Sequence, residues 1–434
     1  VTGSDSRGDQ DARRAIDAVW RIESARVIAG VARIVRDLGI AEELAQDALV
    51  AALEQWPESG VPDNPGAWLM ATAKHRAIDL VRRKERYARK LEELGHQLES
   101  QESRQSHGSD FAAAEAAADG DIEDDLLRLV FTACHPVLAT EARVALTLRL
   151  LGGLTTAEIA RAFLVGEPTV AQRIVRAKKT LAKAGVRFEV PEEGAERRER
   201  LASVLEVIYL VFNEGYSATA GDDWMRPGLC EDALRLGRVL AGLMPREPEV
   251  HGLVALLEIQ ASRAAARTGP SGEPVLLTDQ DRRRWDQLLI RRGFAALARA
   301  DALPGRPGPY AVQAAIAACH ARAFTPEDTD WPRIAELYDA LARLVPSPVV
   351  ELNRAVAVAM AHGPEQGLKL VDALGDEPAL RRYHLLPTVR GDLLARLGRH
   401  AEARTEFVRA AALTRNERER GLLLARAAEA GRNS

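Results

Sequence analysis

The stretch Leu154–Leu181, LTTAEIARAFLVGEPTVAQRIVRAKKTL, decides the reading of this chain. It divides into two short helices around a tight turn. Ile159, Phe163 and Leu164 supply the apolar residues of the first helix, and Thr155 or Thr156 stands where a hydroxyl can cap its start. Gly166 marks the break. Pro168 is tolerated just after it because the first turn of a helix has no internal amide bonds to lose. In the second helix Val170, Ile174, Ala177 and Leu181 share one face. Thr169, Gln172, Arg173, Arg176, Lys178 and Lys179 are left to meet phosphates and base edges. This spacing predicts a helix-turn-helix whose second helix enters the DNA major groove. The motif alone leaves an ordinary helical hairpin open as the alternative.

The rest of the chain sets the context. Its 434 residues suffice for two to four domains, each burying its own core. A net charge of −4 argues against a protein that coats nucleic acid along its whole surface. The charge is sorted locally. Lys74–Lys90 holds eight basic residues against Asp79 and Glu85, and Arg161–Arg187 holds seven against Glu167. Between them, Leu91–Asp125 holds eleven acids against Arg104, so two basic elements flank an acidic spacer. Cys134, Cys230 and Cys319 are odd in number and widely spaced, which fits a reducing compartment without a disulfide framework. Cys134–His135 and Cys319–His320 lack further partners at ligand spacing, so buried thiols are expected there and no metal or other cofactor. No apolar run reaches the ~18–20 residues of a membrane span, and a cytoplasmic protein without membrane contact is expected.

Helical periodicity dominates throughout, and no convincing alternating strand is found, so the fold class expected is all-α. Residues 1–10 read as disordered. A first helical domain is placed at 11–92, with Pro57–Pro65 as a loop and a long helix from about Gly66 to Lys90. The acidic, alanine-rich segment 93–122 reads as a flexible linker, and 123–187 as a second helical domain ending in the helix-turn-helix. The region 200–434 carries a faint repeat, clearest at Tyr383–Asn416. There Gly391, Leu394, Gly398, Ala403, Phe407 and Ala410 fall where a tetratricopeptide helix pair puts its small and packing residues. Arrays of that kind take a protein or peptide ligand in a concave groove.

Two further blocks join the helix-turn-helix in a fixed order. Ala41-Glu42-Glu43-Leu44-Ala45-Gln46-Asp47, followed by Leu53 and Trp56, resembles the second conserved region of bacterial sigma factors. Trp68-Leu69 with Ala73–Arg83 resembles the segment that follows it. With Leu154–Leu181 these resemble the extracytoplasmic-function (ECF) type of the sigma-70 family, which has regions 2 and 4 and no region 3. The C-terminal region, including Tyr209–Tyr216 (YLVFNEGY), is similar to a subgroup with a long tetratricopeptide-like extension.

The resemblance implies a promoter-specificity subunit and no enzyme. Core RNA polymerase and promoter DNA would be its partners. Glu42, Glu43, Gln46 and Asp47 would form a polar face gripping the β′ clamp helices through charge-assisted hydrogen bonds. Asn64, Trp68, Lys74, His75, Arg76, Arg82 and Arg83 would capture and help melt the −10 element. Thr169, Gln172, Arg173, Arg176, Lys178 and Lys179 would face the −35 element, and the exposed face of Asp124–Leu150 the β-flap. The C-terminal array would regulate or support activity in cis. Three positions depart from the family pattern: His75 stands in place of a common Asn, Leu164 in place of a turn glycine, and Ala171 in place of a common lysine. The alternative is a helix-turn-helix regulator with a peptide- or protein-sensing array that does not replace sigma. Such a protein has no reason to carry the Glu42–Trp56 and Trp68–Arg83 blocks. No Walker loop, dinucleotide fingerprint, HExxH or GxSxG motif is present.

Overall fold

A computed structural model describes residues 5–96, 122–217, 225–270 and 272–432. Among them the chain is built from α-helices and a few single-turn 3-10 segments. The only pairing of extended backbone there is one isolated bridge between Thr268 and Pro274. No helix of the described residues is long and apolar enough to cross a membrane. The chain divides into two compact units, Val1–Val207 and Ile208–Ser434.

The first unit opens with α1 (Asp5–Val35), α2 (Leu38–Ser59) and α3 (Pro65–His96), which pack on one another. α1 begins inside the segment expected to be disordered, so residues 5–10 are helical. The α1–α2 seam is made close by small residues: Ala29, Ala32, Ala41, Ala45, Ala48 and Ala52 are all buried, with Ile28, Val31 and Trp56 filling the ends. Asp37 starts α2 by accepting from the Ile40 amide at 2.9 Å. The expected linker 93–122 lies almost entirely outside the described residues.

Four helices follow in the same unit: α4 (Ile122–Ala133), α5 (Thr140–Leu150), α6 (Thr156–Ala162) and α7 (Glu167–Lys183). The last two are the helix-turn-helix; its caps and the buried stripe of α7 are as expected, but α6 ends at Ala162, so Phe163 closes it and Leu164 falls in the turn and not on the first helix. Thr155 caps α6 in a reciprocal capping box with Glu158, and Pro168 occupies the first turn of α7. Val170, Ile174, Ala177 and Leu181 are the buried residues of α7. Leu164 sits in the turn at φ +49°, the left-handed region in which a Cβ is strained, and its side chain is 55 % exposed. Leu164→Gly removes this strain and little burial, so urea unfolding is expected to show a gain of about 0.5–1 kcal/mol after the extra flexibility of the unfolded glycine chain is offset.

The unit boundary falls within α8 (Ala195–Tyr216). The first half of that helix is fastened to α5 by Arg143, which donates across to Ser203 and to Glu206 at 3.0 Å, and to Thr140 of its own helix at 2.9 Å. Ser203 in turn donates to the Cys134 carbonyl at 2.5 Å.

The second unit stacks α9 (Pro227–Leu243), α10 (Pro248–Ala261), α11 (Gln287–Ala302), α12 (Pro309–Arg322), α13 (Trp331–Leu344), α14 (Pro348–His362), α15 (Pro364–Ala373), α16 (Leu385–Arg396), α17 (His400–Leu413) and α18 (Glu417–Arg432). Most helices pack against their chain neighbours, the mark of a helical repeat array. The pair expected at Tyr383–Asn416 is α16 and α17. Gly391 lets the Phe407 ring close against α16, because an added Cβ would lie 2.8 Å from that ring. The array curls back on itself. Arg418 on α18 approaches Gly272, and Arg426 lies within electrostatic reach of Asp279, so the last helix returns to the segment after α10. All three cysteines are buried free thiols, and burial pushes Cys134 up to about 11 and Cys230 to about 12.

Candidate nucleic-acid interface

The recognition helix α7 presents two distinct edges. Thr169, Gln172, Arg173 and Arg176 recur at intervals of three and four, so they share a face pointing away from the buried stripe. Thr169, Gln172, Arg176 and Lys179 are exposed and Arg173 half-buried. The Arg176 guanidinium leans on the Gln172 side-chain oxygen at 3.5 Å. Lys178 does not join them. It emerges on the opposite edge of the helix and binds the Glu42 carboxylate of α2.

That contact changes the picture of Glu42, which the sequence places on an exposed polar face. Its side chain is only 8 % exposed. Arg149 of α5 donates to Glu42 Oε1 at 2.6 Å, Lys178 takes Oε2, and Gln46 Nε2 donates to Oε1 at 2.9 Å. Glu43 and Asp47 do remain exposed, with Arg76 of α3 3.5 Å from the Asp47 carboxylate. Two further ion pairs join the same two helical groups: Arg21 with Glu158 at 2.6 Å and Arg33 with Asp125 at 3.6 Å. The groups carrying the candidate −10 and −35 readers are therefore packed face to face. The sequence carries no local signal for this, since Glu42 is 107 and 136 residues from its partners.

Electrostatics make the contact pH-sensitive. Burial alone raises the Glu42 carboxyl, but the Lys178 ammonium and the Arg149 guanidinium outweigh it and hold it below the usual carboxylate range. Glu158 is also held low: its burial is outweighed by hydrogen bonds from Thr155 and by Arg21. At Asp125 burial wins over Arg33 and Arg128, so this carboxyl is raised and opposes the other two. A depressed folded-state value means stabilisation that is complete above the carboxylate range and lost as pH falls through it and below. Acid titration is therefore expected to loosen the contact between α2 and α5–α7 below about pH 4.5. Intramolecular distance measurements between labels on α2 and α7 check this. An unchanged distance at acid pH with the helices intact contradicts it.

The region 2 candidates divide similarly. Asn64 accepts from the Ala67 amide at 3.0 Å, so its carbonyl oxygen starts α3 and its amide group alone is left for a base edge. The residue pair Asn64-Pro65, a cap followed by a first-turn proline, was a legible sign of this role. Trp68 is half-buried and meets Trp56 edge-on, ring centroids 5.4 Å apart, which is a packing role. His75, Arg82 and Arg83 are exposed along α3, with Lys74 and Arg76 half-buried beside them. No cluster of three or more His, Cys, Asp or Glu groups able to hold a metal ion occurs among the described residues.

Comparisons with known proteins follow the same division. Residues 21–87 match sigma-70 region 2, and residues 128–181 match sigma-70 region 4. Residues 200–301 match a family of unknown function, DUF6596. The chain is 48 % identical over 388 residues to an uncharacterized protein of Rhizobium meliloti (strain 1021), covering 89 % of each chain. It is 31 % identical over 173 residues to the ECF RNA polymerase sigma factor SigK of Mycobacterium ulcerans (strain Agy99), a match covering 39 % of this chain and 83 % of that one.

Proposed function

Because the chain belongs to the ECF branch of the sigma-70 family, we propose that it binds core RNA polymerase and places two DNA readers on a promoter. The observation that best supports this is the sorted recognition helix: four residues at groove-reading spacing on one edge, with the apolar stripe buried behind them. Thr169, Gln172, Arg173, Arg176 and Lys179 then contact the −35 element. His75, Arg82, Arg83 and the Asn64 amide act at the −10 element, with Lys74 and Arg76 as supporting cations. Glu43 and Asp47, exposed on α2 with Asp47 beside Arg76, meet the β′ clamp helices, and the outer face of α4 and α5 the β-flap.

In this reading the Glu42–Lys178 contact describes a closed state. A residue assigned to polymerase binding and one assigned to DNA binding neutralise each other, so both become available only when the two helical groups part. The array from Ile208 onward regulates this in cis. Deleting residues after Val207, which keeps the part of α8 held by Arg143, tests that role through transcription output, and unchanged output removes it.

The proposal as a whole is tested by co-elution with purified core polymerase and capture of duplex fragments from a genomic pool. Wild-type chain and the Arg173→Ala/Arg176→Ala variant should both co-elute with core, and only wild type should retain discrete fragments. Fragment capture without any association with core contradicts the sigma reading and favours a free-standing regulator.

A further inference from the structure

A groove of about 310 Å3 opens in the second unit between the C-terminal half of α9 and the middle of α11, with α10 as its base. Both walls pack on α10, and glycines set how closely they do so. An added Cβ at Gly237 would lie 3.4 Å from the Val254 side chain, and one at Gly293 2.5 Å from that of Ile259. At those points α9 and α11 press on α10. At Gly242, further along α9, nothing lies within 4 Å of an added Cβ, and there the walls stand clear. Val254 forms the floor, and the small side chains of Ala295 and Ala296 leave the space unfilled.

Arginines border this largely apolar space, and no acidic side chain lines it among the described residues. Arg238 on α9 is forked onto Glu258 at 2.8 and 3.0 Å, so that pair carries no net charge. His251 is buried and donates from Nε2 to the Pro245 carbonyl at 2.9 Å. Arg292 and Arg299 on α11 differ. Both are exposed, and neither has a hydrogen bond or ion pair with any described residue. They stand two helical turns apart on one face, about 10.5 Å along the axis, with Ala295 and Ala296 between them. An exposed guanidinium is well served by water, so charge by itself assigns nothing. The arrangement does: two unneutralised cations stand at the ends of an apolar wall that faces an open groove.

We propose that this groove binds an elongated organic dianion, an α,ω-dicarboxylate with a hydrocarbon middle. Arg292 and Arg299 hold its two ends, since guanidinium is weakly hydrated and matches a carboxylate bidentately. The middle lies over Ala295, Ala296 and Val254 and takes their apolar surface out of water. A short dicarboxylate reaches one guanidinium at a time, and a fatty monocarboxylate leaves one of them unused. Every lining residue falls within the stretch that matches DUF6596, so ligand binding is then a role of that stretch. The site is defined by binding and is independent of the sigma reading.

The experiment is calorimetric titration of the full chain with sodium suberate, succinate and octanoate at equal ionic strength, with the thermal unfolding midpoint as a second readout. Suberate should bind at least about fivefold more tightly than either of the others, because it alone combines both charges with an apolar middle. Arg292→Gln and Arg299→Gln should each bring suberate down to the level of octanoate. Ala295→Trp fills the groove without changing a charge, and should abolish binding of both. All three positions are exposed, so the variants should unfold near the wild-type midpoint without ligand. The recognition helix also attracts anions, but it favours none of these probes by length and is untouched by the variants. Suberate binding no tighter than succinate, or an advantage that survives in any of the three variants, overturns the site.

Discussion

Glu42→Ala is expected to destabilise the first unit by about 3 kcal/mol in urea unfolding near neutral pH. The change removes the carboxylate that Lys178 and Arg149 share, and leaves two cations in a site where each is no more than a quarter exposed. Breaking a buried pair by deleting one partner typically costs about 3–5 kcal/mol, and the remaining exposure of both cations puts this case at the low end. Replacing all three residues with apolar side chains of similar size should restore most of the loss, because no buried charge then lacks a partner. The same variant should lose part of the acid sensitivity described above. Equal stability of wild type and Glu42→Ala shows that the contact adds nothing to the fold. A triple variant as unstable as the single one shows that packing, not charge, was lost.

Gly252→Val is expected to destabilise the second unit by about 3 kcal/mol, read as a lowered thermal or urea midpoint. Gly252 lies where α10 crosses α12, and an added Cβ would sit 2.6 Å from the Ala311 nitrogen and 2.8 Å from its Cα. Those are backbone atoms of the neighbouring helix, which cannot rotate aside as a side chain can. The helices must separate, and the seam of Ala255, Leu256, Ile259, Ala314, Ala317 and Ala318 opens with them. Gly242→Ala is the control. That helical glycine is exposed with nothing within 4 Å of an added Cβ, so the change should be neutral or slightly stabilising. Similar losses at both positions contradict the close-approach account.

The parts of this structure legible in the sequence are those fixed by local chemistry. The buried stripe of α7, the Thr155 cap and the first-turn Pro168 follow from spacing within one or two helical turns. The strain at Leu164 was visible as a bulky residue where a turn wants glycine, and its φ of +49° bears this out. The pairing of α16 with α17 was legible because Gly391 and Phe407 form a complementary small-to-large contact. Glu42 shows the opposite case. At positions 42, 43, 46 and 47 the sequence presents one polar stripe, and helix periodicity cannot tell which member finds a cation more than 100 residues away. The curl of the array is likewise set by contacts between its distant ends.

Core RNA polymerase is expected to take its promoter choice from this chain. Run-off transcription from genomic DNA fragments, with purified core polymerase and with or without the full chain, is the decisive measurement. Discrete transcripts should arise only when the chain is added, and Arg173→Ala/Arg176→Ala should suppress them. If the chain binds the fragments and core alone transcribes them equally well, the claim fails.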